Sequence, residues 1–252
     1  LGKIAYQKAG IIKMGCPVAV YGGMSGEALT VIKWVAGENR SPLKISEPES
    51  IKNLEMVDTG YKFDYGDMNE MEIGMIGRHQ VSNACLAIEA AKVMSHNGLP
   101  VSTDDIRKGL KKTRWPGRVE ILNDSPLVIC DATHNPQGAE VLKETLYERY
   151  KDKKIIYVMG VMKDKNYDKM AEIVLKNAFA VVTVTPEWHR ALNALELLDT
   201  VKKYCKNAYA GDTIKEAMET ALGLAGHDGM VCTFGSLYYV ADVKKYVREN
   251  LS

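Results

Sequence analysis

The sequence predicts an α/β protein whose C-terminal half is built on a mostly parallel, six-stranded sheet. After residue 118, short and almost continuously apolar segments alternate with segments of helical periodicity, as in a parallel sheet covered by helices on both faces. Before residue 113 the pattern is less regular, with polar turns between short alternating segments. Residues 114–118 (Arg-Trp-Pro-Gly-Arg) interrupt both patterns, so we expect two domains, residues 1–113 and 114–252.

The N-terminal domain is predicted to mix helices with short strands. Alternating polar and apolar residues between positions 38 and 76 indicate antiparallel strands, and apolar residues at helical spacing after position 80 indicate a long helix. The predicted elements are a helix over residues 1–13 that ends at Gly10, a strand over 17–21, a helix over 26–36 capped by Ser25, strands that include 56–58 and 61–65, and helices over 80–96 and 103–112.

The C-terminal domain is predicted as alternating strands and helices. The predicted strands cover residues 119–122, 127–131, 155–161, 180–185, 208–210 and 230–234, and the predicted helices cover 137–150, 167–177, 193–203, 213–224 and 237–249. Connections through helices make neighbouring strands parallel. The carboxyl ends of such strands meet at one edge of the sheet, where open α/β sheets bind their ligands.

Composition and charge favour an ordinary globular protein of the cytoplasm. A hydrophobic content of 46% and a charged content of 26% are typical of folded domains, and a net charge of +1 gives no overall field that attracts nucleic acid or an acidic membrane. No apolar run approaches transmembrane length, and no signal-peptide pattern is present. The five cysteines include no CxxC pair, so we expect buried free thiols in a reducing compartment.

Residues 131–136 (Asp-Ala-Thr-His-Asn-Pro) stand where a predicted strand passes into a predicted helix. An acid, an imidazole and an amide therefore lie at the ligand-binding edge of the sheet, beside a helix N-terminus that attracts anions. Asn135 followed by Pro136 is also a common way to begin a helix. The residues alone leave both interpretations open, a ligand site and a helix cap.

Three other strand-to-helix connections carry polar or charged residues at the same predicted edge. They are residues 163–165 (Lys-Asp-Lys), 185–191 (Thr-Pro-Glu-Trp-His-Arg-Ala) and 234–237 (Phe-Gly-Ser-Leu). A solvated loop often has such residues, but four polar connections on one edge favour a site. Arg118, between the predicted domains, has the planar guanidinium group that suits phosphate.

A second candidate region precedes the long helix of the N-terminal domain. His79, Gln80 and Asn83 offer an imidazole and two amides that can bind a base or a ribose, whereas Ser82 and Asn83 acting only as helix caps is an equally good interpretation. The sequence contains no GxGxxG dinucleotide motif, no GxxxxGK[ST] phosphate-binding loop and no His/Cys group with zinc-ligand spacing. A nicotinamide-dependent oxidoreductase is therefore disfavoured.

Seven segments follow one another in a recognisable order. They are residues 4–13 (Ile-Ala-Tyr-Gln-Lys-Ala-Gly-Ile-Ile-Lys), 79–84 (His-Gln-Val-Ser-Asn-Ala), 115–118 (Trp-Pro-Gly-Arg), 131–136, 164–165 (Asp-Lys), Pro186 with Arg190 and Ala191, and 235–238 (Gly-Ser-Leu-Tyr). This series resembles the motifs of the folylpolyglutamate synthase/dihydrofolate synthase family, within the wider Mur ligase group. Gln7 and Thr133 depart from the glutamate and alanine that are more usual there.

The resemblance implies a Rossmann-like C-terminal domain, residues 114–252, preceded by the last part of a P-loop-type α/β ATPase domain, residues 1–113. The P-loop half would then precede Leu1, and the chain, which has no initiator Met, is expected to be an inactive fragment. The implied reaction joins L-glutamate to a folate or dihydropteroate carboxylate through an acyl phosphate. It requires ATP and Mg²⁺, with no nucleic acid or membrane partner, and a monomer is expected.

The resemblance also implies roles for individual residues of the ATP site. Lys8 matches a lysine that family members carbamylate, which would turn a cation into an oxygen ligand near Mg²⁺. His79, Gln80 and Asn83 match positions on the ATP side, towards the base. Arg118 matches an arginine that reaches the ATP phosphates when the domains close and stabilises charge as the phosphoryl group moves.

In the C-terminal domain, the resemblance assigns Asp131 to the ribose hydroxyls and His134 to a place beside the nucleotide and the incoming glutamate. Arg190 and Ser236 are implied contacts of the glutamate carboxylates. Catalytic roles are therefore expected for Arg118, His134 and Lys8.

Two alternative functions remain open. A non-catalytic Rossmann-like binding module gains weight if the 252 residues are the whole natural product, because they contain no phosphate-binding loop. A Mur-type ligase that acts on a cell-wall precursor is the other, and the 79–84 and 131–136 segments favour the folate branch over it. The gene length or the intact mass of the cellular protein separates the ligase from the binding module.

Overall fold

The structure is a computed structural model that describes residues 1–251. It divides into two compact units, Leu1–Arg114 and Trp115–Ser252. That the first unit is part of an ATPase domain stays a prediction. Within residues 1–251, no helix has both the length and the apolar composition that crossing a lipid bilayer requires.

Helices and strands alternate along most of the chain. The helices are α1 (Gly2–Ala9), α2 (Gly26–Glu38), α3 (Arg78–His96), α4 (Thr103–Lys112), α5 (Pro136–Tyr150), α6 (Tyr167–Val174), α7 (Ala194–Val201), α8 (Ile214–Ala225) and α9 (Val240–Asn250). The strands are β1 (Val18–Tyr21), β2 (Leu43–Ser46), β3 (Ile51–Val57), β4 (Gly60–Tyr65), β5 (Met68–Ile73), β6 (Glu120–Asp124), β7 (Leu127–Cys130), β8 (Ile155–Met159), β9 (Ala180–Val184), β10 (Ala208–Gly211) and β11 (Met230–Phe234). Single 3-10 turns cover Pro48–Ser50, Leu175–Asn177 and Leu237–Tyr239.

The first unit contains two small sheets. Strands β3, β4 and β5 form the expected antiparallel sheet, and Tyr61 and Phe63 of β4 share a buried cluster with Ile88 of α3. Strand β2 also lies in the segment expected to be antiparallel, but it pairs in parallel with β1. The expectation was wrong for β2 because helix α2 connects β1 to β2, and a helical crossover returns the chain in the same direction.

The second unit has the predicted six-stranded sheet, with the order β10-β9-β8-β11-β7-β6. All neighbouring pairs are parallel except β6 with β7, which confirms the mostly parallel Rossmann-like sheet. Val128, Val182 and Val231 of the sheet have no exposed surface and share a cluster with Met218 of α8 and Val243 of α9. The β7, β8, β9 and β11 strands therefore form the centre of the core, and their carboxyl ends lie at one edge.

Three local expectations need correction. Helix α3 begins at Arg78, after Gly77 with φ 108°, so Ser82 and Asn83 lie inside the helix and do not cap it. The helices expected over 167–177 and 237–249 each contain a separate 3-10 turn. Cys16 is exposed, in contrast to the four other cysteines, because it lies in the turn before β1 and not in an apolar element.

Candidate functional site

The loop of residues 115–119 carries Arg118 in a left-handed turn. The backbone φ is 70° at Gly117 and 44° at Val119, a region that β-branched residues rarely adopt. The Val119 N–H donates a buried hydrogen bond of 2.9 Å to Oδ2 of Asp131, which holds this conformation. The Arg118 side chain is exposed and has no hydrogen bond or ion pair with any residue of 1–251. Its guanidinium group is therefore available to an anion.

Asp131 follows the last residue of β7 and is 5% exposed. Its Oδ1 accepts the backbone N–H of Thr133 at 2.8 Å, while Oδ2 accepts the Val119 N–H. Asp131 thus joins the loop of residues 115–119 to the segment after β7. Because an ionised carboxylate has about four acceptor positions, two remain for further donors. The assignment of Asp131 to ribose hydroxyls stays a prediction.

His134 is exposed, and its ring orientation is fixed by the backbone. Nδ1 lies 2.9 Å from the carbonyl oxygen of Ala132. Since a carbonyl oxygen only accepts, Nδ1 must carry the hydrogen, and in the neutral ring Nε2 is then a hydrogen-bond acceptor. Asn135 next to it caps α5, because its Oδ1 accepts the Gly138 N–H at 2.7 Å and Pro136 begins the helix. The cap is confirmed, and it leaves the imidazole free for another role.

The segments that follow β8 and β9 are joined by a short antiparallel bridge between Met162 and Ala191. The Lys163 N–H donates to the carbonyl oxygen of Arg190 at 3.0 Å. These backbone contacts bring two predicted site segments together, residues 163–165 and 185–191. They confirm that both lie at the same edge of the sheet.

Arg190 is part of an exposed cluster of charges and aromatic rings. Its Nη1 lies 4.0 Å from Oδ1 of Asp164, and the other oxygen of that carboxylate, Oδ2, lies 2.9 Å from Nζ of Lys165. The hydrogen bond from Lys165, with a smaller contribution from Arg190, lowers the pKa of Asp164 below its usual value. Nη2 of Arg190 lies 3.4 Å from the hydroxyl oxygen of Tyr238, whose ring stacks on Trp188 with 4.5 Å between ring centroids. Sequence reasoning missed this stack, although both aromatics lie in segments at the predicted edge.

Ser236 is more enclosed than the predicted glutamate contact suggests. It is 2% exposed, and its Oγ accepts the Tyr238 N–H at 3.1 Å as the cap of the Leu237–Tyr239 turn. Gly235 before it has φ 121°, and a Cβ there would lie 2.4 Å from the carbonyl oxygen of Gly160. Only glycine allows β8 and β11 to approach so closely. The glutamate role of Ser236 stays a prediction.

The predicted ATP-side residues of the first unit form a chain of side-chain hydrogen bonds at the start of α3. His79 Nε2 lies 2.9 Å from Gln80 Nε2, and Asn83 Nδ2 donates to Gln80 Oε1 at 3.1 Å. Gln80 is buried and Asn83 is exposed, so the chain leads from the interior to the surface. The structure brings these three residues together, and Lys8 lies exposed on α1 of the same unit.

The side chains do not fit a Mg²⁺ site by themselves. Among residues 1–251, no three His, Cys, Asp or Glu side chains come together in a way that could hold a metal ion. Mg²⁺ prefers oxygen ligands, and the ammonium group of an unmodified Lys8 is a cation. A role for Mg²⁺ therefore stays an expectation.

Comparison with known proteins shows the family to which the chain belongs. The family model of the Mur ligase glutamate ligase domain matches residues 117–237. The dihydrofolate synthase/folylpolyglutamate synthase of Bacillus subtilis is 31% identical over 252 residues, with 98% of this chain and 58% of the relative covered. The chain belongs to the folylpolyglutamate synthase/dihydrofolate synthase family of the Mur ligase superfamily.

Solved members of this family have the same fold. The chain is 30% identical to the folylpolyglutamate synthase of Thermotoga maritima, with a TM-score of 0.79 and with 98% of this chain and 57% of that chain covered. It is 25% identical to Escherichia coli FolC in complex with DHPP and ADP, with a TM-score of 0.82 and with 100% of this chain and 57% of that chain covered. The chain thus spans less than two thirds of the length of the family members it matches.

Proposed function

We propose that the protein functions in the ATP-dependent ligation of L-glutamate to the carboxylate of a folate or dihydropteroate. The names of its relatives support this reaction, and the ADP found with the Escherichia coli relative supports ATP as the phosphoryl donor. The observation that carries the proposal is the exposed guanidinium group of Arg118 on a loop whose backbone is fixed by Asp131. A cation on a braced backbone, with no side-chain partner among residues 1–251, suits an anionic substrate.

The reaction proceeds in two steps. An oxygen of the folate carboxylate attacks the γ-phosphorus of ATP, the bond to the β-γ bridging oxygen breaks, and ADP leaves. The glutamate amine then attacks the carbonyl carbon of the acyl phosphate, the C–O bond to phosphate breaks, and inorganic phosphate leaves. Arg118 stabilises the negative charge on the phosphoryl oxygens during transfer. Since catalysis of phosphoryl transfer is mainly positioning and electrostatics, an arginine on a held backbone suits this step.

His134 acts on the second step. The attacking amine must lose a proton as the amide bond forms, and Nε2 of His134 is the acceptor that the Nδ1 hydrogen bond leaves open. Arg190 binds a glutamate carboxylate with its planar fork, and Ser236 is a further contact of that substrate. Asp131 binds the ribose hydroxyls, and the His79, Gln80 and Asn83 side chains bind towards the base. If Lys8 were carbamylated, its carbamate oxygens would be ligands of the kind that Mg²⁺ prefers.

The proposal is tested by glutamate incorporation. The enzyme, as the cell makes it, is incubated with radiolabelled L-glutamate, ATP and either tetrahydrofolate or dihydropteroate, and the product is separated from free glutamate. We expect ATP-dependent incorporation with at least one of the two acceptors. Incorporation without ATP, or none with either acceptor, would contradict the proposal. The same assay on both acceptors separates folate polyglutamylation from dihydrofolate synthesis.

A second arm of the assay uses the 252-residue chain by itself. We expect no turnover from it, because its sequence contains no GxxxxGK[ST] loop to hold the ATP phosphates. Robust turnover by the chain alone would show that the phosphates are held by residues within it.

A further inference from the structure

Glu120, the first residue of β6, connects the Arg118 loop to helix α9. Its Oε2 accepts the backbone N–H of Gly117 at 2.8 Å, and its Oε1 accepts a hydrogen bond from Nζ of Lys244 at 2.6 Å. The side chains of Glu120 and Lys244 are 27% and 37% exposed, so this pair is partly shielded from water. Both carboxylate oxygens of Glu120 are therefore occupied, one by a neighbour in the Arg118 loop and the other by Lys244, which lies 124 residues from Glu120 in sequence.

The backbone on both sides of Arg118 is thus held by carboxylates. Glu120 binds the N–H before Arg118, at Gly117, and Asp131 binds the N–H after it, at Val119. A third hydrogen bond, from the Ala132 N–H to the Gly117 carbonyl oxygen at 2.8 Å, ties the same loop to the segment after β7.

These hydrogen bonds hold a conformation that the loop would otherwise leave. Val119 has φ 44°, and the strain of a β-branched residue in the left-handed region must be offset by surrounding contacts. Gly117 tolerates its φ of 70° without strain, so it does not by itself fix the turn. The hydrogen bonds from Gly117 and Val119 supply the restraint, and the direction of the Arg118 side chain depends on them.

We propose that Glu120, held by Lys244, is a positioning residue for Arg118. The inference rests on the proposed function, in which Arg118 contacts the transferred phosphoryl group. Glu120 and Lys244 act through the loop and need not touch substrate. A misplacement of a catalytic group by about 1 Å costs on the order of 100-fold in rate, which is the effect this bracing prevents.

The experiment is a double-mutant cycle on the enzyme as the cell makes it. Glu120→Ala removes the acceptor for Gly117, and we expect a fall in kcat of roughly 10- to 100-fold with little change in KM for glutamate. Glu120→Gln keeps one oxygen for the Gly117 N–H, so we expect it to restore part of the lost kcat. In an Arg118→Ala background, Glu120→Ala should lower kcat no further, since the group that it positions is already absent.

Controls separate positioning from stability. Glu172→Ala removes an ion pair of 2.8 Å between Glu172 and Lys169 on α6. This pair lies in the same unit as Glu120 but makes no bond to the Arg118 loop, so kcat should be unchanged. Thermal unfolding shows whether each variant folds, and if Glu120→Ala does not, Lys244→Met takes its place in the cycle. A kcat fall of equal size in both backgrounds, or unchanged kcat in the wild-type background, would overturn the inference.

One outcome concerns the proposed function itself. If Arg118→Ala alone retains full kcat, the role of Arg118 in phosphoryl transfer is wrong, and the positioning role of Glu120 is wrong with it. If Arg118→Ala lowers kcat while Glu120→Ala does not, only the inference about Glu120 is wrong.

Discussion

The backbone N–H of Val119 lies 2.9 Å from Oδ2 of Asp131, and this hydrogen bond joins the Arg118 loop to the carboxyl end of β7. The other oxygen of Asp131 accepts the Thr133 N–H, so one buried carboxylate holds both the Arg118 loop and the segment after β7. Asp131 is therefore expected to affect stability as well as activity.

Asp131→Asn should lower the free energy of unfolding by roughly 1–3 kcal/mol. The amide keeps one acceptor oxygen, and its NH₂ group then faces a buried backbone N–H that has lost its partner. Urea unfolding of the 252-residue chain measures the change. Asp199→Asn on the exposed surface of α7 is the matched control and should have little effect. Equal unfolding free energies for Asp131→Asn and the wild type would contradict the structural role.

Arg118→Ala should lower kcat in glutamate ligation by roughly 100-fold or more, because it removes a charge donor that acts during phosphoryl transfer. Arg118→Lys keeps the charge but loses the two-pronged geometry, so we expect intermediate kcat. Steady-state kinetics of the enzyme as the cell makes it provide the measurement. Arg248→Ala, an exposed arginine of α9, is the control. Unchanged turnover of Arg118→Ala would refute the assigned role.

Arg190→Ala should raise the KM for glutamate by about 10- to 100-fold, the equivalent of one charge-assisted hydrogen bond. The Asp164 carboxylate and the Tyr238 hydroxyl hold this arginine, and Trp188 stacks on Tyr238, so glutamate binding should also change the tryptophan fluorescence. Titration with glutamate and initial-rate kinetics measure both effects. A normal KM in Arg190→Ala would place the glutamate carboxylates elsewhere.

Cys16 should be the one cysteine that reacts with iodoacetamide in the folded chain. It is exposed, whereas burial raises the pKa of Cys85 and Cys130 to about 12 and also raises that of Cys205 and Cys232. Only the thiolate is nucleophilic, so the buried thiols stay inert at pH 8. Mass spectrometry should find one modification in buffer and five in urea. Loss of labelling in Cys16→Ser is the control, and several modifications in buffer would contradict the described burial.

Much of this fold was predictable because its signals are local. Continuous apolar runs such as residues 127–130 and 230–234 indicate strands buried on both faces, and helices between them require parallel pairing. That the candidate site segments lie at one edge was predictable for the same reason, since the carboxyl ends of parallel strands share an edge. Asn135 before Pro136 predicted the start of α5, and its cap hydrogen bond is present.

The contacts that hold the site were not predictable, because they join residues far apart in sequence. Nothing near Glu120 indicates that Lys244 pairs with it, and nothing about Val119 indicates a φ of 44°. The parallel pairing of β2 was missed because the alternation of Leu43-Lys44-Ile45-Ser46 indicates a strand but not the direction of its partner. The start of α3 was misplaced because the residue before the helix is Gly77, which has no side chain to mark the start as a cap.

The most direct test of the proposed reaction follows an oxygen atom. The folate substrate is prepared with ¹⁸O in both oxygens of the reacting carboxylate, and the phosphate released during glutamate ligation is analysed by mass spectrometry. An acyl-phosphate intermediate requires one labelled oxygen to leave with phosphate while the other stays in the amide. We predict one ¹⁸O in each phosphate formed. Glutamate incorporation accompanied by unlabelled phosphate would contradict the proposed mechanism.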